Sequence, residues 1–169
     1  MVIRSTGLEN STRTDERRVG VLSDTHGLLR PEVLELLRGS QLLVHAGDVG
    51  DPTVLEALHA VAPVVAVRGN VDVEPWAREL SETEVVAVGG VRLYVLHDLH
   101  RLDLDPRAAG FSAVISGHSH RPSVERRRGV LYLNPGSCGP RRFDLPLTVA
   151  RLRVSGSTVE AEIVDLGVC

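Results

Sequence analysis

Short β-branched runs alternate with helical patterns from Val19 onward, in the order RVGVLSD, PEVLELLRG, QLLVHAGD, DPTVLEALHAV and PVVAVRGN. A β-α-β-α-β series of this kind forces a largely parallel sheet with helices packed on it, because parallel neighbours must be joined by a crossover. Pro31 suits the first turn of one helix and Gly39 its end, while Asp51 followed by Pro52 starts the second. The pattern then changes. EVVAVGGVRLYVLHD reads as a hairpin turning at Gly89 and Gly90, a short helical stretch is expected over 106–110, and SAVISGHSH and GVLYLNPGS read as further strands. LTVARLRVSGSTVEAEIVDL closes the chain as a second hairpin, turning at 155–157. The expected architecture is two sheets, the first mainly parallel and the second more antiparallel, covered outside by helices. Residues 1–17 are polar and aperiodic and read as a flexible extension, leaving 18–169 as one domain.

Polar residues stand where the hydrophobic runs stop: Asp24 and His26, Asp48, Asn70, His97, and His118 with His120. Ligand sites in open α/β sheets lie beyond the carboxyl ends of strands, so residues scattered over the sequence can meet there. Carboxylate and amide oxygens and neutral imidazole nitrogens are the donors that a first-row divalent cation accepts. If the backbone continues extended past the strands, residues two apart face the same way, which aims Asp24 with His26, and His118 with His120, at one cavity. Each dipeptide alone is an ordinary turn or cap; it is the ordered set that points to a metal centre.

The segments SDTHG, HAGD, RGNVD, VLHD, SGHSH and LNPGS follow in order the motifs of the calcineurin-like metallophosphoesterase superfamily, which the chain resembles from Val19 to near its C-terminus. Its shortness and the GNVD segment make it most similar to the small bacterial and archaeal phosphodiesterase branch. The resemblance implies an α/β fold, a four-layer α/β/β/α sandwich of two mixed β-sheets flanked by helices. It implies two divalent metal ions, with Asp24, His26 and His120 on one, Asn70, His97 and His118 on the other, and Asp48 bridging both. Mn2+ is the ion expected first, with Ni2+, Co2+, Fe2+ and Zn2+ compatible with the same donors. The implied activity is hydrolysis of phosphodiesters or phosphomonoesters by a hydroxide bridging the metals, with Asp48, Asn70, Asp72 and His97 as the catalytic set. Nucleotides fall within the substrate class.

Two positions depart from the family pattern. Val71 stands where many relatives place a histidine after the motif asparagine, which removes the usual proton donor to the leaving oxygen, and Asp98 replaces the glycine usual after the motif histidine. Asp72 is expected to support the site by hydrogen bonding rather than to donate a proton. His45 is expected buried and hydrogen-bonded, and His59, Arg141 and Arg142 at the surface. His100 is expected outside the chemistry, Trp76 and Tyr94 in packing, and Arg126–Arg128 in a solvated turn.

A formal net charge of -3 argues against broad electrostatic capture of nucleic acid. The N-terminus lacks the apolar core of a secretory signal and no apolar run reaches membrane-spanning length, so a cytoplasmic protein with no membrane role is expected. Cys138 and Cys169 suggest neither a disulfide framework nor a metal pair. Self-association is left open. The alternative to an enzyme is a binding scaffold, since the same family includes a non-enzymatic subunit of the retromer sorting coat.

Overall fold

A computed structural model describes residues 15–168. Strand β1 (Arg17–Leu22) leads into helix α1 (Pro31–Leu37), β2 (Leu42–His45), α2 (Pro52–His59) and β3 (Val64–Ala66), the expected series. The Asp51 carboxylate accepts a hydrogen bond from the Thr53 amide, capping α2, and Pro52 occupies its first turn. Next come the hairpin β4 (Thr83–Val88) and β5 (Val91–Leu96), then β6 (Ala113–Ile115) and the pair β7 (Ser123–Arg127) and β8 (Val130–Asn134). The last hairpin is β9 (Thr148–Ser155) and β10 (Thr158–Asp165).

The strands form two five-stranded mixed sheets, β10-β9-β1-β2-β3 and β4-β5-β6-β8-β7. The C-terminal hairpin therefore crosses back to the first sheet instead of extending the second. β9 pairs antiparallel with β1, bringing Val19 opposite Leu152 and Val21 opposite Ala150. Each sheet consequently has two parallel and two antiparallel pairings, and the expected contrast between them is absent. Pairing with β9 removes a free edge from β1 and sends Ala150, Leu152 and Val154 into the core.

Val19, Val21, Leu93, Val95, Ile115, Leu131 and Leu133 join those residues between the sheets. Each fully buried aliphatic side chain contributes about 1.5–3 kcal/mol. On the outer face of the first sheet, Val33 and Leu37 of α1 and Val54 and Leu58 of α2 close a second core over Leu22 and Leu43.

The outer face of the second sheet has no α-helix among the described residues. Tyr94, Leu96, Phe111 and Val114 are covered by the segment carrying a 3-10 turn at Leu99–Arg101, so this fourth layer is a loop. The stretch expected to be helical at 106–110 is a turn, closed by the Phe111 amide donating to the Pro106 carbonyl at 2.9 Å. Its run ends at Gly110, in the left-handed region with φ of 83°. The arginine run is also divided: Arg126 and Arg127 belong to exposed edge strand β7, and only Arg128 enters the hairpin turn with Gly129. A charged edge strand of this kind discourages pairing with another chain.

β1 takes in Arg17, one residue before the expected domain start. The rest of the expected N-terminal extension, up to residue 14, lies outside the described residues, as does Cys169. No described helix is long and apolar enough to cross a membrane.

Candidate metal centre

The loops after β1, β2, β3, β5 and β6 meet at one rim, and all seven expected donors arrive there. The β1–β2 ladder continues past the strand ends: the Asp24 amide donates to the Gly47 carbonyl at 3.0 Å, His26 to Asp48 at 3.0 Å and Gly27 to Val49 at 2.8 Å. Gly117 donates to the His97 carbonyl at 2.9 Å, which ties the second sheet's loops together. The loops approach so closely that a Cβ on Gly69 would overlap the Asp48 carboxylate, and one on Gly117 would overlap Ser23 Oγ.

The expected extended geometry at the paired donors does not hold. Asp24, His26, Asp48, His118 and His120 all have positive φ, between 46° and 72°. Each left-handed non-glycine residue costs about 1–2 kcal/mol. The convergence is thus achieved by turning the chain sharply at each donor, not by strand alternation.

Both carboxylates are divided in the same way, one oxygen held by the protein and the other turned toward the imidazoles. Asp24 Oδ2 accepts from Ser23 Oγ at 2.6 Å and from the His118 amide at 3.1 Å. Asp24 Oδ1 is buried without a hydrogen-bond partner and lies 3.3 Å from His120 Nε2 and 3.7 Å from His26 Nε2. Asp48 Oδ1 accepts from the Val71 amide at 3.0 Å, while Oδ2 lies 3.2 Å from His97 Nε2 and 3.7 Å from His26 Nε2. Two donor groups result, Asp24–His26–His120 and Asp48–His97–His118, either of which could hold an ion. Asn70 Oδ1 joins the second, 3.0 Å from His97 Nε2 and 3.1 Å from His118 Nδ1.

These separations suit a coordination shell. Metal–ligand bonds of about 2.0–2.2 Å put neighbouring donors about 3.0–3.5 Å apart in octahedral or tetrahedral geometry. His97 Nδ1 donates to the Ala46 carbonyl at 2.7 Å, which leaves the Nε2 lone pair facing Asn70 Oδ1 and Asp48 Oδ2. Three acceptors that close repel one another unless a proton or a cation lies between them.

Electrostatics point the same way. Burial alone would raise the Asp24 carboxyl, but the His120 and His26 imidazoles beside its free oxygen, the Ser23 hydrogen bond and the nearby His97 hold it far below the carboxylate range. Asp48 is lowered against its own burial by His97 and the Val71 amide, and His97 is raised against its burial by Asp48 and Asp24. An array that favours positive charge at its centre is the environment a divalent ion requires.

Asp72 is buried with both oxygens engaged: Oδ2 accepts from the Val49 amide at 3.1 Å and the Gly69 amide at 2.9 Å, and Oδ1 from Gly50 at 2.9 Å. It locks the Asp48 loop to the Asn70 loop. His45 is fully buried, with Nδ1 accepting from the Gly47 amide and Nε2 donating to Thr25 Oγ1. His59 is exposed, His100 projects outward against Asp98, Trp76 packs against the α1–α2 core, and Arg141 donates to the Leu145 and Val168 carbonyls.

Three supporting residues escaped the sequence reading. Ser23 orients Asp24, Ser137 Oγ donates to the Asp24 carbonyl at 3.0 Å, and Asn134 Nδ2 donates to the Gly117 carbonyl at 2.9 Å. The only signal was their place inside SDTHG and LNPGS.

Two packed mixed sheets with oxygen and imidazole donors gathered beyond their strand ends define the class: an α/β sandwich built to carry a candidate divalent-metal centre. Residues 18–157 match the family model described as calcineurin-like phosphoesterase superfamily domain, and the chain belongs to that family. A probable metallophosphoesterase of Methanothermobacter thermautotrophicus is 36% identical over 160 residues, covering 88% of this chain and 92% of the relative. A phosphodiesterase of Methanocaldococcus jannaschii is 25% identical over 140 residues, covering 72% of this chain and 84% of the relative. Among solved structures, Vps29 of Entamoeba histolytica complexed with Zn2+ superposes with a TM-score of 0.68 at 24% identity, over 89% of this chain and 99% of that one.

Proposed function

We propose that the protein is a two-metal phosphodiesterase. The observation that carries this reading is Asp48 Oδ2, which faces His26 of one donor group and His97 of the other. Asp24, His26 and His120 would hold the first ion, Asn70, His97 and His118 the second, and Asp48 both. Bound there, the pair would supply Lewis acidity toward phosphoryl oxygens and an activated water, with Mn2+ the ion we assign first. Two carboxylates against two divalent ions leave the site positive and able to attract a phosphoester anion. The Ala46 carbonyl fixes the His97 tautomer, the Val71 amide and Ser23 orient the two carboxylates, and Asp72 fixes the spacing of the two loops. The kinship with phosphodiesterases supports the diester as substrate, and we place the protein in the cytoplasm.

The test is hydrolysis of bis(p-nitrophenyl) phosphate by metal-stripped protein with and without Mn2+, beside Asp48→Asn. Turnover restored by Mn2+ and reduced at least about 100-fold by the substitution is expected. Metal binding without turnover would overturn the enzyme reading in favour of a binding scaffold on the same fold.

A further inference from the structure

A cavity of about 500 Å³ opens beside Asn70, His97 and His118. Buried Tyr94 and Leu96 of β5 contribute apolar surface to it, while Arg68, Glu82, Asp98, Arg101 and Asp103 supply charge. A volume in this range accommodates a small organic molecule, far more than a phosphate group alone. Its polarity opposes that of the metal centre. Glu82 pairs with Arg68 at 3.2 Å, and Asp72, also in the lining, has both oxygens on backbone amides. Glu82 meets Arg68 through Oε1 alone, which leaves its other oxygen open, and Asp98 takes the His100 amide on Oδ1. Asp72, Glu82, Asp98 and Asp103 stand against only Arg68 and Arg101, so the lining is net negative.

We propose that this cavity is the subsite for one ester arm of the substrate. It takes an arm of nucleoside size that donates hydrogen bonds and carries no second anionic group. Glu82 and Asp103 are its specificity-determining residues. The inference rests on the phosphoesterase reading. The phosphoryl group is drawn to the metal centre, and the arm beside it meets carboxylate acceptors. Hydroxyl and amino donors form charge-assisted hydrogen bonds there. A second phosphate would sit among like charges, and repulsion at about 6 Å in a partly solvated cleft weakens binding about 10-fold. The subsite thus sorts phosphoesters by what the rest of the molecule carries, a choice the metal ligands cannot make.

The experiment is calorimetric titration of the Mn2+-loaded protein with inorganic phosphate, thymidine 5′-monophosphate and thymidine 3′,5′-bisphosphate. These ligands add first an arm, then an anion on that arm. The monophosphate is expected to bind about 10-fold tighter than phosphate, and the bisphosphate about 10-fold weaker than the monophosphate. In the double variant Glu82→Gln, Asp103→Asn, the penalty on the bisphosphate should disappear. Both side chains are exposed, and an unchanged melting temperature will show that the fold is intact. Phosphate binding with no preference among the arms, or a penalty that survives the double substitution, overturns the subsite alone. Failure of phosphate itself to bind overturns the subsite together with the phosphoesterase reading.

Discussion

His45 offers a quantitative check on the interior beneath the candidate metal centre. Its ring is fully buried, and burial pushes its pKa from the ordinary 6.5 down to about 4. The hydrogen bonds give the same answer independently. Thr25 Oγ1 donates to the Val49 carbonyl, so it must accept from His45 Nε2–H, and Nδ1 is occupied as acceptor of the Gly47 amide. A second proton would need Nδ1, where it would oppose the Gly47 N–H. The folded protein therefore keeps His45 neutral while the unfolded chain protonates it below 6.5. Stability is full above that pH, declines as pH falls, and stops declining from this cause near 4, where the folded ring also takes a proton. At about 1.4 kcal/mol per pH unit the loss across that window is about 3 kcal/mol. His45→Gln keeps one donor and one acceptor but cannot titrate. Urea unfolding in EDTA, followed by the fluorescence of Trp76, should find the variant about 1–2 kcal/mol less stable at pH 7. The deficit should vanish or reverse by pH 4, because only the parent chain takes up a proton at this position when it unfolds. Parallel stability curves for the two proteins would refute the assignment.

Asp72→Asn removes an acceptor from a carboxylate that serves three amides; a loss of about 1–3 kcal/mol in unfolding free energy is expected. The same variant should bind Mn2+ about 10–100-fold more weakly, and equal metal titration curves would contradict its role. Val71→His installs the histidine that many relatives place after the asparagine, at a residue 41% exposed whose amide still holds Asp48. Alkyl diesters should gain about 100-fold in rate while bis(p-nitrophenyl) phosphate, which needs little leaving-group protonation, gains much less; equal gains would refute the proton-donor argument. Chelation should leave far-ultraviolet circular dichroism intact, because the inter-sheet core contains none of the donors. It should lower the melting temperature by about 5–10 °C relative to protein saturated at about 100 times Kd, and collapse of the fold on chelation would show that the site is part of the core.

The β-α-β-α-β series and both Gly- and Ser-containing hairpins were legible because each depends on contacts close in sequence. The return of β9 to β1 was not. LTVARLRV alternates apolar and polar residues equally well for either sheet, and what selects its partner is Val19 opposite Leu152, more than 130 residues away in the chain. The helix expected over 106–110 failed because Pro106 and Gly110 bracket too few residues to complete it, and burial of Phe111 sets the path of that loop. At the site, residue identity was readable but conformation was not. Asp24 and His26 were expected to share a direction through strand alternation, yet both lie in the left-handed region.

That difference bears on how the site is built. Left-handed φ at five of the seven donors is unfavourable for each residue by itself, and the acceptor atoms of His97, Asn70 and Asp48 are pressed together besides. What holds them is largely backbone: the ladder beyond β1 and β2, the Gly117 bond to His97, and the three amides on Asp72. These groups belong to the loops, so the donor arrangement is fixed by the fold before any ion binds. An ion bound there would have little ordering to do, and its charge would relieve that repulsion. Glycine at 69 and 117 is what lets the loops come close enough for this, since a side chain at either position would occupy the space of Asp48 or Ser23. The short polar motifs are therefore best understood as instructions for backbone approach as much as for ligand identity.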